Sequence, residues 1–103
     1  MKIINIAKDF SEIPGGRTRE SGVNSGEEFR EDFLEKYIDN NPEEKICINL
    51  DGGHGYACSF LDEVFGGLAI KYGSEYINSK LSFISSEEPH LIDEIKEYIN
   101  EKN

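Results

Sequence analysis

The chain has few of the residues that define several large classes of protein. It contains two cysteines, no tryptophan and three prolines among 103 residues. No stretch approaches the roughly 20 apolar residues that a membrane span needs, and no secretion signal is visible. Two cysteines cannot form a disulfide framework, so the small disulfide-rich secreted folds are excluded. The sequence therefore predicts a cytoplasmic protein in which Cys47 and Cys58 are buried free thiols.

Basic residues are also scarce, with 11 lysines and arginines against 21 acidic residues and a formal net charge of −10. A surface of this charge repels phosphate backbones and anionic headgroups, so neither nucleic acid nor a membrane is an expected partner. Fourteen of the acids lie in residues 27–44 and 86–103. These acidic runs are typical of solvated helix faces, or alternatively they steer a partner that carries a basic surface.

Residues 46–73 form the most regular part of the sequence. A short apolar run from Ile46 to Leu50 predicts a buried strand, and the glycine-rich segment from Asp51 to Gly55 ends it. From Ser59 onward the apolar residues repeat with helical spacing as far as Tyr72, where Gly73 is a typical helix stop. Such a strand–loop–helix unit places its loop at the carboxyl end of a strand, where α/β folds commonly carry their sites.

The remaining segments alternate between strand and helix patterns. Strands are predicted near residues 2–7 and 80–85, with a further edge strand at Arg17–Glu20 and a connector at Ser74–Asn78. A capping box at residues 25–28 predicts a helix up to residue 40, and a last helix follows Pro89. The expected fold is one α/β domain over residues 1–103, a mixed four-stranded sheet with about three helices. Those helices could all lie on one face and leave the other partly open.

Several motifs resemble the STAS-like family of domains of unknown function (DUF4325). They are Gly16-Arg17, residues 25–30 (SGEEFR), Leu50-Asp51-Gly52, residues 59–63 (SFLDE) and residues 65–68 (FGGL). The resemblance covers nearly the whole chain, and its SFLDE and FGGL parts are the most specific. It implies a small STAS-like fold, related to the bacterial anti-sigma-factor antagonists.

The resemblance also implies a function. In those antagonists a serine at the start of a helix is phosphorylated by a histidine-kinase-like ATPase, and aligning the central strands brings Ser59 to that position. The motif there reads Asp-Ser-Ser-Gly-Leu, whereas here it reads Ala-Cys-Ser-Phe-Leu over residues 57–61. The expected protein is thus a non-catalytic regulatory module whose partner is such an ATPase. Its expected docking surface consists of Asp51, Gly52, Gly53, His54, Gly55, Ser59, Phe60, Asp62 and Glu63.

Each candidate residue has a simpler structural interpretation as well. Ser59 could be an N-cap of its helix and no more, because a serine hydroxyl there satisfies free amides. Asp62 and Glu63 would repel a phosphate on Ser59, or would complement the positive end of the helix. His54 and Cys58 lie four residues apart, but no orienting residue is evident, so an enzyme is not expected. No metal site or cofactor is expected either, since paired ligand spacing is lacking.

Three arginines carry the alternative function. Arg17, Arg19 and Arg30 could converge with the Gly52–Gly55 loop on a small molecule or nucleotide, although pairing with nearby glutamates is the plainer interpretation. Gly66 and Gly67 lie inside the predicted helix, where each costs about 1 kcal/mol relative to alanine. Close packing or a local kink would account for them.

Overall fold

The computed structural model describes residues 1–102, in which three parallel strands form one sheet. Strand β1 spans Lys2–Asn5, β2 spans Ile46–Asn49 and β3 spans Leu81–Ile84, in the order β1-β2-β3. The register pairs Ile4 with Ile48 and Ile48 with Phe83. All three strands are rich in β-branched or aromatic residues, which favour extended backbone.

Five helices complete the described part of the chain. Helix α1 is Ile6–Asp9, α2 covers residues 26–40, α3 covers residues 58–72, α4 is Ser74–Lys80 and α5 is His90–Glu101. A central part of α2 (Phe29–Glu35) and of α3 (Asp62–Gly66) is wound as π-helix. Because π segments in helices often occur at functional sites, these two turns are candidate parts of such a site.

All the long helices pack on one face of the sheet. The chain crosses from β1 to β2 to β3 in one direction, and right-handed crossovers of that kind place their helices on the same side. On the covered face Ile4 and Ile48 are buried, whereas on the opposite face Ile3 is 59% exposed and Ser82 is exposed. The open face expected from the single apolar stripe of each helix is thus observed.

Helix α3 supplies much of the core. Its side chains Phe60, Leu61, Val64, Phe65 and Leu68 are all fully buried, as the helical spacing of apolar residues predicts. They pack against Phe29 and Leu34 of α2 and against Ile95 and Ile99 of α5 in one cluster. This cluster fixes the position of α3, so the residues at its start and on its outer side have defined neighbours.

The sheet is smaller than the sequence predicts. The fourth strand at Arg17–Glu20 is wrong, because Arg19–Ser21 forms a short 3₁₀ turn. The hydroxyl of Ser21 donates to the carbonyl of Thr18 at 2.6 Å, and Arg19 pairs with Glu31 and Asp32 of α2. These local bonds hold the segment on the helical side, away from both sheet edges. The sheet is therefore wholly parallel and not mixed.

The helix count is larger than predicted. The connector expected at Ser74–Asn78 is wrong, since helix α4 starts at Ser74 and runs to Lys80. Gly73 has φ 95°, a conformation that glycine adopts readily, and so separates α3 from α4 instead of ending helical structure. The short helix α1 was likewise not predicted. No helix within residues 1–102 has both the length and the apolar character needed to cross a bilayer.

Candidate functional site

The loops that follow the three strands meet at the carboxyl edge of the sheet. The side-chain amide of Asn5 donates to the carbonyl of Asp51 at 3.2 Å. The Asp51 carboxylate accepts from the amides of Ser86 and Glu87 at 3.1 and 3.0 Å, and Glu87 in turn accepts from the amide of Gly52 at 2.9 Å. This reciprocal pairing fixes the loop after β2 against the loop after β3.

Hydrogen bonds and burial at this edge shift two pKa values. The backbone hydrogen bonds from Glu87 and Ser86 lower the pKa of Asp51, because they stabilise its charged form. Tyr56 donates its hydroxyl to the carbonyl of Leu50 at 2.8 Å. Burial and then the nearby negative charges, Asp51 first, raise the pKa of Tyr56 to about 12. Asp51 is therefore a structural anion that holds the loop in place.

Asp51 gives the loop a predictable pH dependence. The pKa of Asp51 is lowered in the folded protein. The stability that its carboxylate gives the loop is therefore complete above the ordinary aspartate pKa of about 3.9 and is lost as the pH falls through the lowered value. In an NMR titration we expect the amide shifts of Ser86 and Glu87 to follow this step. Asp51→Asn should abolish the step, and a midpoint at or above the ordinary value would contradict the assignment.

The segment Gly52–Ala57 projects from this edge into solvent. Gly52, His54 and Ala57 are exposed, and Gly53, Gly55 and Tyr56 are half-buried. Gly52 and Gly55 have φ of 97° and 112°, so glycine is needed at both turns. The amide of His54 donates to the carbonyl of Glu12 at 2.9 Å, and its ring lies beside the Glu12 carboxylate. The loop is thus anchored at its base and accessible at its tip.

Ser59 does not cap its helix. Helix α3 begins at Cys58 with Ala57 as the N-cap residue, so Ser59 is the second helical residue and half-buried. The interpretation of Ser59 as an N-cap is therefore wrong. Within residues 1–102 the structure records no hydrogen bond made by its hydroxyl. A hydroxyl in that position is open to a reagent or a partner that approaches along the helix start.

Cys58, next to it, has a different environment from the one predicted. It is exposed, not buried, while Cys47 is buried in the central strand. Burial first, then hydrogen bonds with Glu94 and Cys58, raise the pKa of Tyr98, which places the thiol beside that phenol. In the described residues no hydrogen bond joins His54 to Cys58 or to Ser59. His54 instead lies against Glu12, as noted above.

Two groups of the expected docking residues are already engaged within the chain. Phe60 is fully buried among the aromatic rings of Phe10, Phe29 and Tyr56, so its inclusion in a docking surface is wrong. Asp62 pairs with Arg17 at 3.1 Å and with Lys102 at 3.2 Å. Glu63 is likewise paired, as described next, so neither carboxylate is a free negative charge beside Ser59.

Arg30 joins the two π-helical segments. Its Nε donates to the carbonyl of Glu63 at 3.1 Å and one terminal nitrogen donates to the Glu63 carboxylate at 2.8 Å. The other terminal nitrogen forms a very short ion pair with Glu35. Burial acts to lower the pKa of Arg30, but the bonds to Glu63 and Glu35 outweigh it, and the pKa is raised. Arg30, only 14% exposed, is thus a permanently charged cross-link between α2 and α3.

Gly66 and Gly67 make room for this cross-link. A Cβ on Gly67 would lie 2.6 Å from Nε of Arg30, and a Cβ on Gly66 would lie 2.7 Å from the Asp62 carboxylate. Gly66 also closes the π segment of α3. The close packing suggested by the sequence is therefore present, and it is against side chains of the same molecule.

The three arginines do not converge. Arg17 and Arg30 both contact Glu63, whereas Arg19 lies apart on the outer side of α2 with Glu31 and Asp32. Arg17 and Arg30 line a half-open cavity of about 270 Å³. Neither Arg19 nor the Gly52–Gly55 loop is among its lining residues, so a ligand site formed by Arg17, Arg19 and that loop is wrong.

Three further members of this cluster are not evident from the sequence. Glu35 of α2 is buried and accepts from Lys71 at 2.7 Å as well as from Arg30, and Lys102 reaches Asp62 from the end of the chain. Lys71 is 36 residues from Glu35, Lys102 is 40 residues from Asp62, and the contact of Arg30 with Glu35 depends on the winding of the helix, so no local pattern identifies them. The sequence contains one indirect signal of this cluster: two adjacent glycines within a helix indicate close packing against a large neighbouring side chain.

The fold gives the structural class of the protein, and a comparison of its sequence with family models gives its family. The chain forms a small α/β domain with three parallel strands and helices on one face. The loop between β2 and α3 is exposed at the carboxyl edge of the sheet. A family model described as the STAS-like domain of unknown function (DUF4325) matches residues 25–91, and the chain belongs to that family. A comparison with curated proteins gave no match, and neither did a comparison with solved structures.

Proposed function

We propose that the protein is a non-catalytic regulatory module that docks a protein partner through the Gly52–Ser59 loop and the start of α3. The observation that carries this proposal is the accessibility of that loop on a fixed base. Gly52, His54, Ala57 and Cys58 are exposed, while Asp51 and Glu87 hold the loop rigid from below. A preordered loop loses little conformational entropy when a partner binds, which favours recognition.

Phosphorylation of Ser59 is the proposed switch of this surface. The γ-phosphoryl group of ATP would be transferred to the hydroxyl oxygen of Ser59, with loss of the hydroxyl proton and release of ADP. A phosphate there adds about −1.5 to −2 charges at neutral pH, next to the positive end of α3. Ion pairs to Arg17, Arg30 and Lys102 offset the charges of Asp62 and Glu63, which weakens the repulsion that the sequence suggests.

The proposed partner is a histidine-kinase-like ATPase of the cytoplasm, since such ATPases recognise the anti-sigma-factor antagonists that this family resembles. The acidic surface is suited to a partner with a basic face, because opposite charges accelerate association. The Gly52–Ser59 loop contains no aspartate, glutamate, lysine or arginine. Contacts at the loop would thus give specificity, and the charges around it would give the rate of encounter.

A pull-down from the native cell tests the docking surface. We expect Ser59→Asp to lose or change the captured partner, since it places a charge in the proposed contact, while Ser59→Ala keeps it. Ser79→Asp is the matched control, because Ser79 is also exposed but lies next to the start of β3, at the opposite end of the sheet. Equal capture by the wild type and Ser59→Asp would exclude this surface. For the switch, mass spectrometry after incubation with ATP and the captured ATPase must place the phosphate on Ser59.

A further inference from the structure

A second site lies on the helical side of the molecule, away from the Gly52–Ser59 loop. The cavity of about 270 Å³ is bounded by α2, α3 and residue 102. Four of its lining side chains are cationic (Arg17, Arg30, Lys71, Lys102) and two are acidic (Asp62, Glu63). Three more carboxylates pair with these cations from behind or beside the cavity: Glu35 and Glu31 with Arg30, and Glu101 with Lys102. The lining itself carries four cations against two carboxylates, so its charge is opposite in sign to the net charge of −10 of the chain.

The cations of this cavity divide into two groups. Arg30 uses Nε and both terminal nitrogens on Glu63 and Glu35, so three of its five N–H donors are engaged and its charge is offset by those carboxylates. Arg17 bonds only through one terminal nitrogen. Within residues 1–102 its Nε and its second terminal nitrogen have no recorded partner. Lys71 donates one hydrogen bond, to Glu35, of the three available to an ammonium group.

The open space in front of the Arg17 and Lys71 donors depends on the absence of a side chain at Gly67. Gly67 forms part of the wall, and any side chain there would contact Arg30. Ile70, one turn further along α3, is 71% exposed at the rim of the cavity and offers an apolar contact. The cavity thus combines free cationic donors with one apolar side chain at its opening.

We infer that this cavity binds a phosphate group, either as inorganic phosphate or as a phosphate monoester. A planar guanidinium with two free donors matches phosphate oxygens, and the ammonium groups of Lys71 and Lys102 add charge. Arg30 holds Glu63 and Glu35 in ion pairs, which limits their repulsion of the anion. This site does not depend on the docking loop, so either proposal can be wrong without affecting the other.

Titration with inorganic phosphate, followed by NMR of the full chain at constant ionic strength, tests the site. We expect saturable shifts of the amides around Gly67, with a dissociation constant of about 1 mM or below. Arg17→Gln should weaken binding by about tenfold or more, since a hydrogen bond to a charged group contributes about 1.5 kcal/mol or more. Lys71→Gln should weaken it as well.

Arg19→Gln is the matched control. Arg19 and Arg17 are 45% and 46% exposed, and each pairs with two carboxylates, but only Arg17 lines the cavity. The control should bind phosphate as the wild type does. An absence of saturable binding, or equal weakening by Arg17→Gln and Arg19→Gln, would overturn the inference.

A second titration with phenyl phosphate distinguishes the two sources of the group. Tighter binding than inorganic phosphate, reduced to the inorganic value by Ile70→Ser, supports a monoester whose organic part contacts the rim. Equal binding of both probes supports inorganic phosphate. If neither probe shifts the Gly67 region, the site does not exist.

Discussion

Arg30→Ala is expected to lower the free energy of unfolding by about 3 kcal/mol at neutral pH, the low end of the cost of breaking a buried ion pair. The substitution removes two hydrogen bonds that join α2 to α3 and one ion pair within α2, and it leaves Glu63 and Glu35 without their shared partner. Both glutamates are largely buried, at 19% and 11% exposed, so water replaces the guanidinium poorly. Urea denaturation with and without the substitution measures the difference.

Two companion variants separate this ion-pair effect from a general loss of charge. Arg19→Ala removes an arginine whose partners are exposed, and its unfolding midpoint should not move measurably. Glu63→Gln in the Arg30→Ala background should recover part of the loss, since the uncompensated carboxylate is gone. If Arg30→Ala and Arg19→Ala have equal small effects, Arg30 is not a cross-link and the two π segments are held by apolar packing alone.

Patterns that repeat locally predicted most of the fold. The apolar run from Ile46 and the helical stripe after Ser59 are periodic signals that depend only on neighbouring residues, and both elements are present. The open face of the sheet was also foreseeable, because each predicted helix has one apolar side and three strands alternate with them. The family assignment followed from the same region, which lies within the residues 25–91 that the family model matches.

The errors arose where long-range or backbone effects outweigh local pattern. Arg17–Glu20 has the polar composition of an edge strand, but the amide of Glu27 in α2 donates to the carbonyl of Arg17 at 3.0 Å and holds the segment beside that helix. Gly73 is a typical helix stop, yet its φ of 95° permits a sharp turn into another helix, α4. The burial of Lys80 likewise depends on long-range bonds, because its ammonium group donates to the carbonyls of Asn41, Pro42 and Glu44.

The candidate site was predicted in position but not in detail. The loop after β2 is exposed as the strand–loop–helix pattern suggests, whereas Phe60 belongs to the buried apolar stripe of α3 that the helical spacing indicates. Successive residues of a helix point about 100° apart, so Phe60 is buried although Ser59 beside it is only half-buried. The pairing of Arg30 with Glu63 joins residues 33 apart in sequence and has no local signature.

Gly67→Ala should destabilise the protein by about 2 kcal/mol, although alanine favours an isolated helix by about 1 kcal/mol over glycine. The new methyl group would lie 2.6 and 2.7 Å from Nε and Cδ of Arg30, so it displaces a side chain that three bonds hold in place. Thermal or urea denaturation gives the change. The same methyl group narrows the phosphate cavity, so weaker phosphate binding should accompany it.

Two further variants test whether the contact of the new methyl group with Arg30 causes the loss of stability in Gly67→Ala. Gly66→Ala meets the ends of the Asp62 and Lys102 side chains, which can move aside, so it should cost less than Gly67→Ala. In the Arg30→Ala background nothing blocks the methyl group at position 67, and Gly67→Ala should become neutral or stabilising. A cost that persists there would mean that the backbone of the π segment itself requires glycine, since the close approach of Arg30 would no longer explain it.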